Sequence, residues 1–228
     1  MFRDRRQAGQ ELARRLQHLK GLDLVVLGLP RGGVPVAYEV ARELSAPLDV
    51  IVVRKLGVPC QPELAIGAIG EGEVRIVNRS VMELAGVDED DLRAVEERER
   101  IELERRAQTF RGSRPRVPLQ GRVVVIVDDG IATGSTARAA AQVARARGAA
   151  RIVVATPVAP PDVVDRLGAE ADEVIVVFQP IPFYAIGQFY ADFSQTLDRE
   201  VTELLNRAAD WALEGDATVT DRSASAAT

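Results

Sequence analysis

The chain has 228 residues, of which 46% are hydrophobic and 28% charged, and its formal net charge is -5. That supplies one sizeable core without disulfides, since the single cysteine, Cys60, has no intrachain partner. The acidic balance excludes a general nucleic-acid binder, no apolar run reaches membrane-span length, and no signal-peptide pattern follows Arg3-Asp4-Arg5-Arg6, so a cytoplasmic protein is expected.

Residues 4 to 20 place Ala8, Leu12, Ala13, Leu16 and Leu19 on one helical stripe, which predicts an amphipathic helix with His18 on it. A buried strand over Leu22 to Leu29 follows. Pro30-Arg31-Gly32-Gly33 then reads as a turn. Its glycines permit positive φ and expose backbone amides, and Arg31 adds a fixed cation able to fork onto a phosphate. Val34 to Leu44 is predicted as a helix and Leu48 to Val53 as a second buried strand. Arg54 and Lys55 end that strand. Lys55 and Lys20 are the only lysines.

Residues 55–78 are rich in glycine and proline. They contain two strand-like pieces, Leu64 to Ile69 and Val74 to Val77, with Gly70-Glu71-Gly72 as a hairpin tip. Glu63, Glu71 and Glu73 are expected to face solvent there. Residues 79 to 110 read as a single charged helix, in which Glu96 with Arg100 and Glu102 with Arg106 form i,i+4 pairs. Such a run is a solvated face, and no catalytic role is expected of it. Arg111 to Gln120 is a Pro/Arg linker.

The next stretch is the most informative. Val123-Val124-Val125-Ile126-Val127 is a run of β-branched residues, the mark of a fully buried strand. Asp128 and Asp129 stand where it ends. Gly130-Ile131-Ala132-Thr133-Gly134-Ser135-Thr136 follows, and then an Ala-rich helix from Ala137 to Arg147. Loop amides and a helix N-terminus bind phosphate, because their N–H groups point outward unpaired. Carboxylates repel phosphate but suit hydroxyl groups, or a metal held beside the phosphate. A sugar phosphate satisfies both halves. The segment is not a P-loop, since Gly130 and Gly134 enclose three residues and no lysine follows. No glycine cluster has the dinucleotide-binding spacing.

Arg151 to Thr156, Pro161 to Leu167 and Glu173 to Phe178 are predicted as strand, short helix and strand. Phe178, Phe183, Tyr184, Phe189, Tyr190 and Phe193 are six of the ten aromatic residues and follow the last strand. Most are expected to pack a C-terminal cap over residues 179–196. Residues 197 to 214 form a last helix with Val201, Leu204, Leu205, Ala208 and Trp211 on one face, and 215–228 are expected to be disordered. The alternation predicts an α/β fold: one domain over residues 1–214, with a parallel sheet flanked by helices on both faces, a flexible hairpin loop and a small C-terminal cap. Ligands of such sheets bind at the carboxyl ends of strands, near a switch point, where both the Pro30 and the Asp128 segments fall.

The segment from Val123 to Thr136 resembles the ribose-phosphate loop of type I phosphoribosyltransferases, which use 5-phosphoribosyl-1-pyrophosphate (PRPP). The likeness extends to stand-alone bacterial phosphoribosyltransferase-domain proteins. By this resemblance Asp128 and Asp129 hold the ribose 2′- and 3′-hydroxyls, and Gly130 to Thr136 wrap the 5′-phosphate. Arg31, Gly32 and Gly33 would bind pyrophosphate on a loop that in the family often carries a non-proline cis peptide. Arg54 and Lys55, two cations at a strand end beside that anion site, are read from their position as part of the same pyrophosphate clamp, with Lys55 also a catalytic candidate. Residues 55–78 match a loop that closes over the site, and 179–196 match the hood, where Phe183 and Tyr184 are the candidates to stack on a base.

The resemblance further implies Mg²⁺ carried by PRPP, held in part by Asp128 and Asp129, a small-molecule acceptor and a homodimer. No nucleic acid or membrane partner is expected. In 6-oxopurine salvage enzymes an acid occupies the position of Ala132, so those bases are disfavoured. A non-catalytic sensor of PRPP or nucleotide is the alternative reading.

Overall fold

The computed structural model describes residues 1–59 and 61–210. Expectations for Cys60, Trp211 and the 215–228 tail, and for the Glu63 side chain, lie outside the described residues. The first buried strand, β1 (Leu24–Gly28), is followed by helix α2 (Gly33–Leu44) and by β2 (Leu48–Val50). Helix α1 (Arg5–Arg15) precedes them. It starts on Asp4, whose side chain accepts from the Gln7 amide at 2.7 Å. His18 sits beyond its end, in a 3-10 turn (Gln17–Leu19), and pairs with Glu173 at 3.1 Å.

β6 (Val123–Val127), β7 (Arg151–Val158) and β8 (Glu173–Phe178) complete a five-stranded sheet in the order β2-β1-β6-β7-β8. Every pairing in it is parallel. Alternate residues feed two cores, as the two-residue period of a strand requires. Val26, Val125 and Val127 face one way, with Leu12 of α1 and Val40 of α2. Val25, Leu27, Val124 and Ile126 face the other, against α5 (Ser135–Ala146). The alanines Ala137, Ala140, Ala141 and Ala144 are buried there, and their small side chains bring α5 close to the sheet.

The segment expected as a hairpin loop carries three strands rather than two short pieces. The strand predicted over Leu48 to Val53 stops at Val50, and Val53 opens a second, antiparallel sheet: β3 (Val53–Val58), β4 (Gln61–Gly70) and β5 (Val74–Val77). This sheet packs on the outer side of α5, where a Cβ on Gly70 would overlap Val143. The helix expected over 79 to 110 is two helices, α3 (Arg79–Leu84) and α4 (Glu89–Arg111). Gly86 breaks them at φ +64, and Asp88 caps α4 by accepting from the Asp90 and Asp91 amides. Arg111 is no linker residue. It ends α4, buried against Asp49 and Glu71, so Glu71 faces inward rather than to solvent. A short helix α6 (Val163–Leu167) precedes β8, and residues 198–210 form α7, with Val201, Leu205 and Ala208 buried. None of the described helices is long and apolar enough to cross a membrane.

Candidate active site

β1 and β6 are adjacent and in register from Leu24 opposite Val123 to Gly28 opposite Val127, so they end level. The chain leaves β1 toward β2 on one side and returns to β6 on the other. A crevice must open where the connections diverge. The segments after β1 and after β6 form its two lips.

The β6 lip is pinned at both ends to β7. The Asp128 amide donates to Ala155 O at 3.3 Å, and the Ile131 amide to Val158 O at 2.9 Å. Between that second pin and α5 the backbone turns outward, and Gly134 takes φ +79 to start the helix. Among the described residues, no protein acceptor meets the amides of Ala132, Thr133, Gly134 or Thr136. Thr133 Oγ1 lies 3.2 Å from Ser135 Oγ, which brings two hydroxyls to the same concave turn. Gly130 is closed over by Ile186 and Ile131 is buried in the core, so neither borders the open part of the turn.

The β1 lip is built differently from expectation. Gly32 has φ -62, not a positive value. The Gly33 amide is already used, donating to Leu29 O at 3.0 Å. Close approach explains both glycines. A Cβ on Gly32 would overlap Asp129 Oδ2, and one on Gly33 would sit 2.6 Å from Val127 O and 2.9 Å from Asp128 Cα. The two lips therefore touch at the acidic pair. The Pro30–Arg31 peptide between Leu29 and Gly32 is cis.

Asp128 is partly buried and Asp129 is 8% exposed. Burial, and then the Asp129 charge, push the Asp128 carboxyl well above the usual range. Burial also raises Asp129, against the opposing hydrogen bond and charge of Arg5. Arg5 Nε donates to Asp129 Oδ2 at 2.8 Å, and Arg5 Nη1 donates to Ser194 O at 2.6 Å. Its guanidinium lies 4.1 Å over the Phe193 ring. Tyr190 Oη donates to Asp129 O at 2.5 Å. Burial, and then the Asp129 charge, push the Tyr190 hydroxyl upward, so it stays a donor. These contacts come from a strap in which Phe2 pairs with Tyr190 in parallel. Phe2 donates to Phe189 O at 2.7 Å and accepts from the Ala191 amide at 2.8 Å.

The expected cations divide. Arg54 and Lys55 do not end a core strand; they lie inside β3. Arg54 is committed elsewhere, its Nε donating to Glu99 of α4 at 2.8 Å. Lys55 borders a cavity of about 240 Å³ with Pro30, Arg106 and Thr136. Arg31 borders a neighbouring cavity of about 370 Å³ with Pro30, Arg105, Arg106, Thr109 and Asp198. Its Nη1 lies 3.6 Å from Asp198 Oδ1. Phe183 stacks on Phe189 with centroids 5.5 Å apart and so is occupied in hood packing, whereas Tyr184 is 78% exposed.

Residues 5–192 match the family model described as "Phosphoribosyl transferase domain". The chain belongs to the phosphoribosyl transferase domain family. It is 58% identical over 208 residues to the Mycobacterium tuberculosis (strain H37Rv) protein named "Putative phosphoribosyl transferase Rv0571c", and equally to its counterpart in strain CDC 1551. That alignment covers 91% of this chain and 47% of the curated protein, so the chain spans about half the length of the curated relatives it matches. The crystal structure of TT1426 from Thermus thermophilus superposes with a TM-score of 0.83 at 47% identity, covering 90% of this chain and 97% of that one.

Within this phosphoribosyl transferase domain, sequence reasoning missed Arg5, Tyr190, Arg105 and Arg106 as neighbours of the crevice. Arg5 carries no local signal, because its partner is 124 positions away. Tyr190 stands among the aromatics assigned to cap packing. Arg105 and Arg106 looked like a solvated helix face, since their i,i+3 and i,i+4 pairing with Glu102 does exist at 2.8 and 2.6 Å.

Proposed function

We propose that this domain transfers the 5-phosphoribosyl group of PRPP to an acceptor nitrogen and releases pyrophosphate. The observation that carries the reading is the meeting of the two lips. Gly32 of the cation-bearing loop meets Asp129 of the carboxylate pair, and the outward-turned amides of residues 132–134 follow that pair along the β6 lip; diphosphate, diol and phosphate follow one another in the same order along PRPP. The amides of Ala132 to Gly134, with the Thr133 and Ser135 hydroxyls, would hold the 5′-phosphate. Asp128 would accept from a ribose hydroxyl, and Asp129, fixed by Arg5, would set the geometry of its neighbour.

In the reaction the C1–O bond breaks with its electron pair leaving on pyrophosphate. The C1–N bond forms, and the acceptor nitrogen gives its proton to pyrophosphate or water. The protein's contribution is positioning and charge complementarity at the developing cationic carbon and the departing diphosphate. The loop from Arg31 and the side chain of Lys55 would face that diphosphate.

The donor set also fits Mg²⁺ in a limited way. Among the described residues no cluster of three metal-ligating side chains exists, so a metal would arrive on phosphate oxygens and water, with Asp128 as the accessible carboxylate. Mg²⁺ so bound would neutralise charge on the leaving group. Ala132 is exposed and its carbonyl accepts from Arg166 at 3.2 Å, so this position offers no acid to a base. That favours acceptors other than 6-oxopurines. The test is thermal stabilisation by Mg·PRPP, followed by pyrophosphate release with a panel of nucleobases. Ligand at 100 times its Kd should add about 2.7 kcal/mol of stability. The absence of a shift at millimolar PRPP would overturn the reading. A shift without pyrophosphate release on any base would make the domain a sensor. Cytoplasmic residence and a homodimer are part of the same proposal.

A further inference from the structure

Arg31 and Lys55 are the two cations assigned to the diphosphate, yet they border different cavities, of about 370 and 240 Å³. Two residues border both: Pro30 and Arg106. Proline has no N–H to offer. Arg106 therefore stands where a donor is needed to make one subsite of two. Of the other nearby cations, Arg54 is held by Glu99 at 2.8 Å, and Arg105 borders only the cavity of Arg31 and gives two bonds to Glu102.

Arg106 is also held in place. Its Nε donates to Glu102 Oε1 at 2.6 Å, and Glu102 takes two further bonds from Arg105, at 2.8 and 2.9 Å. Hydrogen bonds from Arg105 and then Arg106 hold the Glu102 carboxyl at about 2, so it stays ionised at any working pH. A guanidinium has five N–H donors, and the bond to Glu102 uses Nε. The terminal nitrogens remain to reach a second anion, and a planar fork suits phosphoryl oxygens.

Resting on the PRPP reading above, we propose that Arg106 of α4 binds the leaving diphosphate and joins Arg31 and Lys55 into one subsite, with Glu102 as its positioning residue. A helix whose sequence reads as a wet face thereby contributes a residue to the reaction.

The test is isothermal titration of PRPP, Mg·pyrophosphate and ribose 5-phosphate against the wild type, Arg106→Ala, Arg106→Lys and Arg98→Ala. Arg98 lies on the same helix, 71% exposed, and removing it makes the same change in net charge. Arg106→Ala should weaken PRPP and pyrophosphate about 10- to 100-fold while ribose 5-phosphate binds as before. Arg106→Lys should fall between, and Arg98→Ala should match the wild type. Pyrophosphate binding within twofold of wild type in Arg106→Ala would overturn the assignment, as would an equal loss of ribose 5-phosphate. If Arg106→Ala fails to fold, Arg106→Lys decides, because only a leaving-group role separates pyrophosphate from ribose 5-phosphate. Failure of the underlying reading looks different: the wild type itself would bind neither PRPP nor ribose 5-phosphate.

Discussion

Arg5 Nε lies 2.8 Å from Asp129 Oδ2, with the two side chains 13% and 11% exposed. The N-terminal helix thus reaches across the sheet edge and neutralises one half of the acidic pair. A carboxylate this buried and stripped of its partner is an uncompensated charge. Arg5→Ala should therefore lower unfolding stability by about 3 kcal/mol in urea melts. Adding Asp129→Asn should recover much of that loss. A double-mutant cycle that closes additively would show that the two residues act independently.

The other half of the pair gives the pH dependence. Burial and the Asp129 charge raise the folded-state Asp128 carboxyl above its ordinary value. The folded protein then binds more protons than the unfolded chain between the ordinary carboxylate range and the raised one. The ligand-free protein should accordingly lose stability as pH rises through that window, and be relieved as pH falls. Asp128→Asn removes the more strongly raised of the two carboxyls. It should flatten the profile and raise the ligand-free Tm at pH 7, while abolishing stabilisation by PRPP. A variant that loses Tm at pH 7 would place the structural need for this carboxylate above its cost.

The core sheet was legible because its strands are short and continuously apolar, from Val123 to Val127 most of all. The Asp128-to-Thr136 turn was legible because strand, acids, small residues and helix follow one another without a gap. The β1 lip was legible in place but not in mechanism. Composition suggested positive φ at Gly32, whereas the glycines are required by the nearness of Asp129 and Val127, a contact made across the sheet. Arg54 looked free because its partner, Glu99, lies 45 positions away on α4. Pairing of that kind leaves no periodic trace in the sequence. The same holds for Arg111, which sits at a helix end beside prolines and reads as a linker.

Gly130 and Ile186 provide a test of how the hood meets the β6 lip. A Cβ on Gly130 would overlap the Ile186 side chain. Gly130→Ala should cost about 1–3 kcal/mol through overpacking and push the 186–189 turn away from the Tyr190–Asp129 contact. Ile186→Ala alone removes packing, but combined with Gly130→Ala it should restore part of the stability. The check is a pair of denaturant midpoints. Losses that simply add would mean the clash is relieved by the backbone elsewhere.

Arg111 ties the α4 end and the hairpin tip to the core sheet. Its Nε donates to Asp49 Oδ1 at 3.0 Å and its Nη2 to Val50 O at 3.1 Å, while Nη1 and Nη2 both reach Glu71. Asp49 is itself committed, accepting the Val50 and Val117 amides at 2.8 and 3.1 Å. Arg111→Met would leave two buried carboxylates without the guanidinium that hydrogen-bonds them, with Arg147 and Arg114 interacting only through charge, and should cost about 3 kcal/mol. Replacing all three charges, as Arg111→Met with Asp49→Asn and Glu71→Met, should recover part of this, because the penalty lies in the unpaired charges rather than in lost attraction. The latch also joins the second sheet to the first. Hydrogen exchange in Arg111→Met should therefore accelerate first in β4 and β5, while β1 and β6 keep their protection. Acceleration spread evenly over both sheets would mean that the two unfold as one unit and that Arg111 stabilises the whole domain.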